Sequence, residues 1–238
     1  MKLKQQDKKR SCKFIDLSIH VLEMHKLLIK DFSLQVHTDF ECALSEPHAD
    51  LPGLANSMLS KFAPQALKPE DVTLSSDKKL YDYRLQFKLF GGSVDVAFTS
   101  QAMDANFRNI STAETANYIF QIVGQIWELA IPRPILINQI SFFVHAQFDQ
   151  PESFAAYMSP FINAERGHTS GGKIIWATTQ DFSGELRFAV EKSLGIERGI
   201  FISAQFRTKE HLTADLLGKM AKQSNEALFF DGLEIIFP

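Results

Sequence analysis

A short run, Asn163-Ala164-Glu165-Arg166-Gly167-His168, places a carboxylate, a guanidinium and an imidazole within four residues. Carboxylates and imidazoles are the groups that most often transfer protons in catalysis, so the run could support acid–base chemistry. Loops on a rigid scaffold often carry such groups, but three polar residues in a row are also typical of an ordinary loop. The catalytic candidates predicted from the sequence are therefore Glu165, Arg166 and His168.

The same loop continues as Gly167-His168-Thr169-Ser170-Gly171-Gly172-Lys173, which has the glycine and lysine spacing of a phosphate-binding P-loop. A P-loop lies between a strand and a helix whose amides cradle phosphate, and a Ser or Thr follows its lysine. Here a helix is predicted before the run and a strand after it, and Ile174 stands at the magnesium position. We therefore expect no nucleotide or other cofactor.

Polar side chains on two neighbouring predicted strands form a possible metal site. Asp16 and His20 lie on the first strand, and His37, Asp39 and Glu41 on the second. Two imidazoles with a carboxylate suit zinc or a similar ion. The metal candidates predicted from the sequence are therefore His20, His37 and Asp39. The alternative is an ordinary solvated face, because the solvent-facing side of any strand pair is polar.

Basic residues are concentrated at the start of the chain. The first 13 residues contain one Asp and six basic residues, namely Lys2, Lys4, Lys8, Lys9, Arg10 and Lys13. The rest of the chain holds 19 basic and 27 acidic residues. Such a tail could dock on nucleic acid or on an acidic partner. The alternative is a solvated end that cannot offset its ordering entropy, and residues 1–11 are predicted to be a basic disordered tail.

The composition favours a cytoplasmic protein. No run of about 18 apolar residues is present to span a membrane. The basic start leads into Ile15-Asp16-Leu17-Ser18-Ile19-His20, whose alternation is not that of a signal-peptide core. Cys42 falls on the apolar face of its predicted strand and Cys12 on the polar face of its own, so we expect no disulfide between them.

Apolar periodicity predicts one order of elements over residues 31–131: a strand, a short helix near 54–62, three strands and a long helix. Gly91-Gly92 predicts a two-residue hairpin, because glycine readily adopts the positive φ of primed turns. In that register Leu89 pairs with Val94, and every apolar residue of both strands lies on one face. Ser111 and Glu114 predict a capping box at the start of the long helix. Trp127 lies on the apolar stripe of that helix and is expected to be largely buried.

The same order recurs over residues 134–228, and a final strand follows near Leu233. This doubled order predicts an α+β fold of two pseudo-repeated halves, 12–131 and 132–238, within one compact body. Each half contributes an antiparallel sheet with a long amphipathic helix packed on it. An additional strand, 15–21, is predicted before the first half.

A family resemblance accompanies this order. The passage from Tyr118-Ile119-Phe120 through Ile137-Asn138-Gln139-Ile140-Ser141 resembles a sporadically distributed, uncharacterised bacterial family often associated with mobile or defence loci. Its members place a long helix before a strand that carries a polar Asn. The resemblance implies a bacterial accessory protein of unknown activity.

Three classes of function stay open on the sequence. The first is a non-enzymatic interaction or assembly module that binds a protein, a second copy of itself or an extended peptide, along a sheet edge or between the helices. The second is a nucleic-acid-binding subunit of a larger complex, which would use the basic tail. The third is an enzyme with a site in the 163–173 loop.

Overall fold

The fold is α+β, as the sequence predicts. A computed structural model describes residues 24–41, 51–65, 67–77, 82–99, 101–130, 134–161, 172–178 and 182–237. Its first half consists of β1 (His25–Phe40), α1 (Leu51–Phe62), β2 (Val72–Asp77), β3 (Asp82–Leu89), β4 (Val94–Phe98), β5 (Ala102–Phe107) and α2 (Ala113–Ala130). Its second half consists of β6 (Ile135–Phe148), α3 (Pro151–Met158), β7 (Gly172–Thr178), β8 (Gly184–Lys192), β9 (Gly199–Thr208), α4 (Ala214–Phe230) and β10 (Leu233–Ile236).

The two halves join edge to edge in one continuous sheet with the order β2-β3-β4-β5-β1-β6-β9-β8-β7. The long strands β1 and β6 form the antiparallel seam between the halves, and β10 pairs in parallel with the start of β1. β1 pairs with β5, and β6 pairs with β9, so β1-β5-β4-β3 in the first half and β6-β9-β8-β7 in the second follow the same order. Strands β2 and β10 lie outside this shared order. The superposition of the halves as true structural repeats stays a prediction.

The predicted hairpin between β3 and β4 is confirmed in its register. Leu89 pairs with Val94, Phe87 with Val96 and Leu85 with Phe98. Gly91 and Gly92 have φ values of 64° and 93°, which glycine adopts without strain. Phe90 also has a positive φ, 53°, and Phe90–Gly92 form a short 3₁₀ turn, so the connection between Leu89 and Val94 is longer than the predicted two-residue turn.

Two details of the first half differ from the sequence analysis. Four strands, not three, lie between α1 and α2, because the edge strand β2 was not predicted. The helix α2 begins at Ala113, so its capping residue is Thr112, one residue later than predicted. The hydroxyl of Thr112 accepts the N–H of Thr115 at 3.1 Å, which is the usual side-chain cap at a helix start.

The helices cover one face of the sheet. Alternate residues of β1 such as Phe32, Leu34 and Val36 are buried in the core, together with the inward stripes of the helices. The opposite face carries the intervening residues, such as Ser33, Gln35 and His37, which are exposed or half-buried. None of the described helices is long and apolar enough to cross a membrane.

Candidate functional site

The helices α2 and α4 run antiparallel across the sheet and touch at one end. A Cβ atom on Gly124 of α2 would lie 3.4 Å from the backbone nitrogen of Ala214, so glycine permits a close approach between the second half of α2 and the start of α4. The first half of α2 lies beside the second half of α4. An open cleft lies between the two helices there.

This cleft, the helix groove, has a volume of about 850 Å³. Asn117 and Phe120 of α2 form one wall, and α4 forms the other. The α4 wall consists of Gly218, Ala221, Lys222, Asn225, Glu226, Phe229 and Phe230. Its length from Gly218 to Phe230 is about 18 Å, since an α-helix rises about 1.5 Å per residue. The α4 wall is therefore long enough to contact about three turns of a helix, whereas the α2 wall spans about one turn, from Asn117 to Phe120.

Beneath the helix groove lies a second space, the core cavity, of about 200 Å³. The two spaces share Asn117, Phe120, Ala221 and Asn225, so the cavity lies directly under the groove floor. Its remaining lining is almost entirely apolar and comes from the sheet, both long helices and the C-terminal residues. That lining consists of Ile29, Phe32, Ala113, Ala116, Phe142, Val144, Phe188, Ile202, Ala204, Ser224, Leu228, Ile235 and Phe237.

The core cavity is only partly enclosed, because Asn117 and Asn225 in its lining are themselves exposed. Its lining is otherwise mainly apolar. An accessible space of this kind beneath a surface cleft is typical of a binding region.

Aromatic side chains are exposed at the rim of the helix groove. Phe229 and Phe230 expose 60% and 79% of their surface, and their rings lie 6.5 Å apart. Tyr118, on the exposed side of α2, lies outside the groove lining and packs edge-on against Phe90. Contiguous exposed apolar groups mark interaction surfaces on soluble proteins. The rim of the groove is such a surface.

The charges in the groove balance. Lys222 and Glu226 lie one helical turn apart on α4, with Nζ and Oε1 separated by 3.7 Å. The other polar side chains of the lining, Asn117 and Asn225, are neutral carboxamides. The groove therefore favours an occupant that is mainly apolar and has little net charge.

The open face of the sheet brings His37 and Asp39 together, as the sequence places them, and adds Asp104 from β5. Nδ1 of His37 lies 2.7 Å from Oδ1 of Asp104, and Nε2 lies 3.0 Å from Oδ1 of Asp39. Both ring nitrogens are thus engaged by carboxylates. Among the described residues, no three His, Cys, Asp or Glu side chains are arranged to hold a metal ion.

The pKa of His37 is raised above its ordinary value of 6.5. Partial burial lowers it, but hydrogen bonds to Asp104 and Asp39 and their negative charge outweigh burial and raise the pKa. The charged ring therefore stabilises the fold fully below pH 6.5, and this stabilisation is lost as the pH rises through the folded-state pKa. NMR titration should place the midpoint of His37 above 6.5 and show it lowered by Asp104→Asn.

Asp95→Asn is the matched control, since Asp95 accepts from Gln86 on the same face and not from His37. We expect Asp104→Asn to lower the free energy of unfolding more at about pH 5.5 than at about pH 8.5. An equal loss at both values would contradict the assignment of a charged His37.

A hydroxyl–imidazole pair elsewhere has a structural explanation. Nδ1 of His145 lies 3.1 Å from Oγ of Ser193. Ser193 is only 4% exposed, and its oxygen also accepts the N–H groups of Gly195 and Ile196. A nucleophile needs a free, accessible oxygen. Ser193 instead holds the turn between β8 and β9.

Several predicted site residues lie outside the described residues. These are the catalytic candidates Glu165, Arg166 and His168, the metal candidate His20, and the basic residues Lys2, Lys4, Lys8, Lys9, Arg10 and Lys13. The predicted strand 15–21 and both cysteines also lie outside them. At the end of the 163–173 loop, strand β7 begins at Gly172, where a P-loop would require a helix.

The helix groove was not predicted as a site, although binding between the helices was one of the modes considered. The sequence carries one signal for it. Phe229 lies on the opposite side of the predicted helix from the apolar stripe of Leu216, Met220 and Ala227.

The chain matches no protein-family model and no curated protein. The geometry described above defines a fold class, α+β with one sheet covered by helices on one face, and a candidate binding groove between its two long helices.

Proposed function

We propose that this protein is a non-enzymatic interaction or assembly module that holds a segment of another polypeptide in the helix groove. The observation that carries the proposal is the position of an open, neutral, aromatic-rimmed groove above a mainly apolar cavity with which it shares four lining residues. Grooves between helices bind amphipathic helices by receiving their apolar face, and the contact surface follows the 3.6-residue period.

The dimensions and chemistry of the groove support a polypeptide occupant. Its α4 wall, about 18 Å long, can contact about three helical turns, each with a rise of about 5.4 Å. Asn117 and Asn225 each offer one acceptor and two donor hydrogens at the groove walls, which match the polar groups of a peptide. Phe229 and Phe230 supply the aromatic surface that dominates binding energy at protein interfaces.

The other two classes of function have less support. Among the described residues, the groove contains one basic side chain, and that side chain is paired with Glu226. Nucleic-acid binding would therefore depend on the basic tail, and catalysis on the 163–173 loop. We propose a cytoplasmic location and a role as a bacterial accessory protein, in keeping with the composition and the family resemblance.

Site-specific photo-crosslinking in the native host tests the proposal. A benzophenone amino acid placed at Asn117, on the α2 wall of the groove, should form a covalent adduct with another polypeptide. The same probe at Thr73, an exposed position on the edge strand β2, is the matched control. An adduct at Asn117 and none at Thr73 supports the proposal, whatever the occupant. Adducts at Thr73 alone, or at neither position, would contradict it.

A further inference from the structure

The outward side of α4 carries a stripe of four residues at a constant spacing of four: Gly218, Lys222, Glu226 and Phe230. All four are exposed, and all four line the helix groove. Residues four apart on a helix lie above one another on one face. The stripe therefore presents, in order, a gap, a positive charge, a negative charge and an aromatic ring.

This order is complementary to itself when two copies of α4 lie antiparallel. With a twofold axis beside Ser224, Gly218 of one copy faces Phe230 of the other, and Lys222 faces Glu226. A twofold interface of this kind uses the same patch on both subunits, so each match occurs twice. A second copy of the chain therefore presents a surface that is complementary to the stripe.

The local space fits this arrangement. A Cβ atom on Gly218 would meet no heavy atom within 4 Å, so the surface there is open and can receive a ring. Phe230, at the other end of the stripe, is 79% exposed and needs such a surface to leave water. Both requirements are met by the same pairing.

Charge complementarity points the same way. Lys222 and Glu226 are paired within one helix at 3.7 Å, and both side chains remain more than half exposed. An antiparallel second copy would place an opposite charge against each of them, and a parallel copy in register would place like against like. Complementary charges fix partner orientation more than they add affinity.

We infer that a second copy of this chain occupies the helix groove, forming a twofold dimer in which the two α4 helices lie antiparallel along the Gly218–Lys222–Glu226–Phe230 stripe. The inference rests on the proposed function, because it names the occupant of the same groove. It makes the protein a self-assembling module.

Analytical ultracentrifugation of the full chain tests the inference. The wild type should show a mass that rises with concentration to twice that of the chain. Phe230→Ser should weaken the dimer by roughly tenfold or more, as expected for loss of an aromatic anchor. Leu194→Ser is the matched control, because Leu194 is 96% exposed and does not line the groove. A wild type that stays monomeric, or a dimer that Phe230→Ser leaves intact, would overturn the inference.

A charge-swap mixture gives a sharper readout. Lys222→Glu makes both charges of the stripe acidic, and Glu226→Lys makes both basic, so each variant alone should dimerise roughly tenfold more weakly than the wild type. A mixture of the two variants should recover dimers containing one copy of each. The contact within α4 stays broken in both variants, so only an intermolecular pair restores association. A mixture that stays monomeric would overturn the antiparallel pairing.

The failure of this inference is distinguishable from the failure of the proposed function. If the chain is monomeric but the probe at Asn117 captures a different protein, the groove is a binding site with another occupant. If the chain is monomeric and Asn117 captures nothing, both proposals are wrong.

Discussion

Replacing Trp127 by alanine should lower the free energy of unfolding by about 3 to 5 kcal/mol, the range for emptying an aromatic core site. Trp127 is 1% exposed, as the sequence predicts from its place on the apolar stripe of α2. Its indole Nε1–H donates to the buried hydroxyl of Thr38 at 3.1 Å. The substitution therefore leaves a large void and removes one partner of a buried polar group. Urea unfolding followed by circular dichroism measures the loss.

Two variants separate the contributions at this position. Trp127→Phe keeps most of the ring but removes the N–H donor, so its loss should be smaller than that of Trp127→Ala. Tyr118→Ala on the exposed side of the same helix is the matched control and should cost far less. Equal losses for Trp127→Ala and Tyr118→Ala would contradict the core assignment of α2.

Replacing Asn138 by leucine should lower the free energy of unfolding by about 2 to 4 kcal/mol, since buried polar groups left without partners cost about 1 to 3 kcal/mol each. Asn138 is fully buried on β6, at the seam between the halves. Its Oδ1 accepts the hydroxyl of Thr38 at 2.5 Å, and its Nδ2 donates to the carbonyl of Glu210 at 2.7 Å. Leucine has a similar size but satisfies neither group.

The neighbouring Gln139 is the matched control for Asn138. Gln139 points to the opposite, half-buried face of β6, so Gln139→Leu should change the free energy of unfolding by less than about 0.5 kcal/mol. Chemical denaturation of both variants measures the two changes in the free energy of unfolding. If Asn138→Leu is as stable as the wild type, the polar network across the seam makes no net contribution.

Apolar periodicity and turn residues were sufficient to predict the β3–β4 hairpin and the helix α2. The alternation in β3 and β4, with Gly91-Gly92 between them, specified both the hairpin and its register, because a one-residue slip would expose every apolar side chain. The long stripe of α2 specified a helix with Trp127 in the core. Strand β2 escaped prediction because it lies at the sheet edge and Leu74 remains 48% exposed, which weakens its apolar period.

The helix groove could not be predicted in this way, because it depends on how far apart two helices lie. Gly124 allows α2 and α4 to approach closely at one end, and the cleft lies between them at the other. Such a distance is a property of packing that neither helix specifies alone. The partnership of His37 with Asp104 has the same origin, since 67 residues separate them in the chain and strand pairing joins them.

The most direct test of the groove as the binding site is hydroxyl-radical footprinting of the protein in its host cells and after purification at high dilution. An occupied groove should protect Phe229 and Phe230 from oxidation in the cell and release them on dilution. Leu194, exposed outside the groove, should react equally under both conditions. Equal reactivity of Phe229 and Phe230 in the cell and in dilute solution would mean that nothing binds in the groove, and would contradict the proposed function.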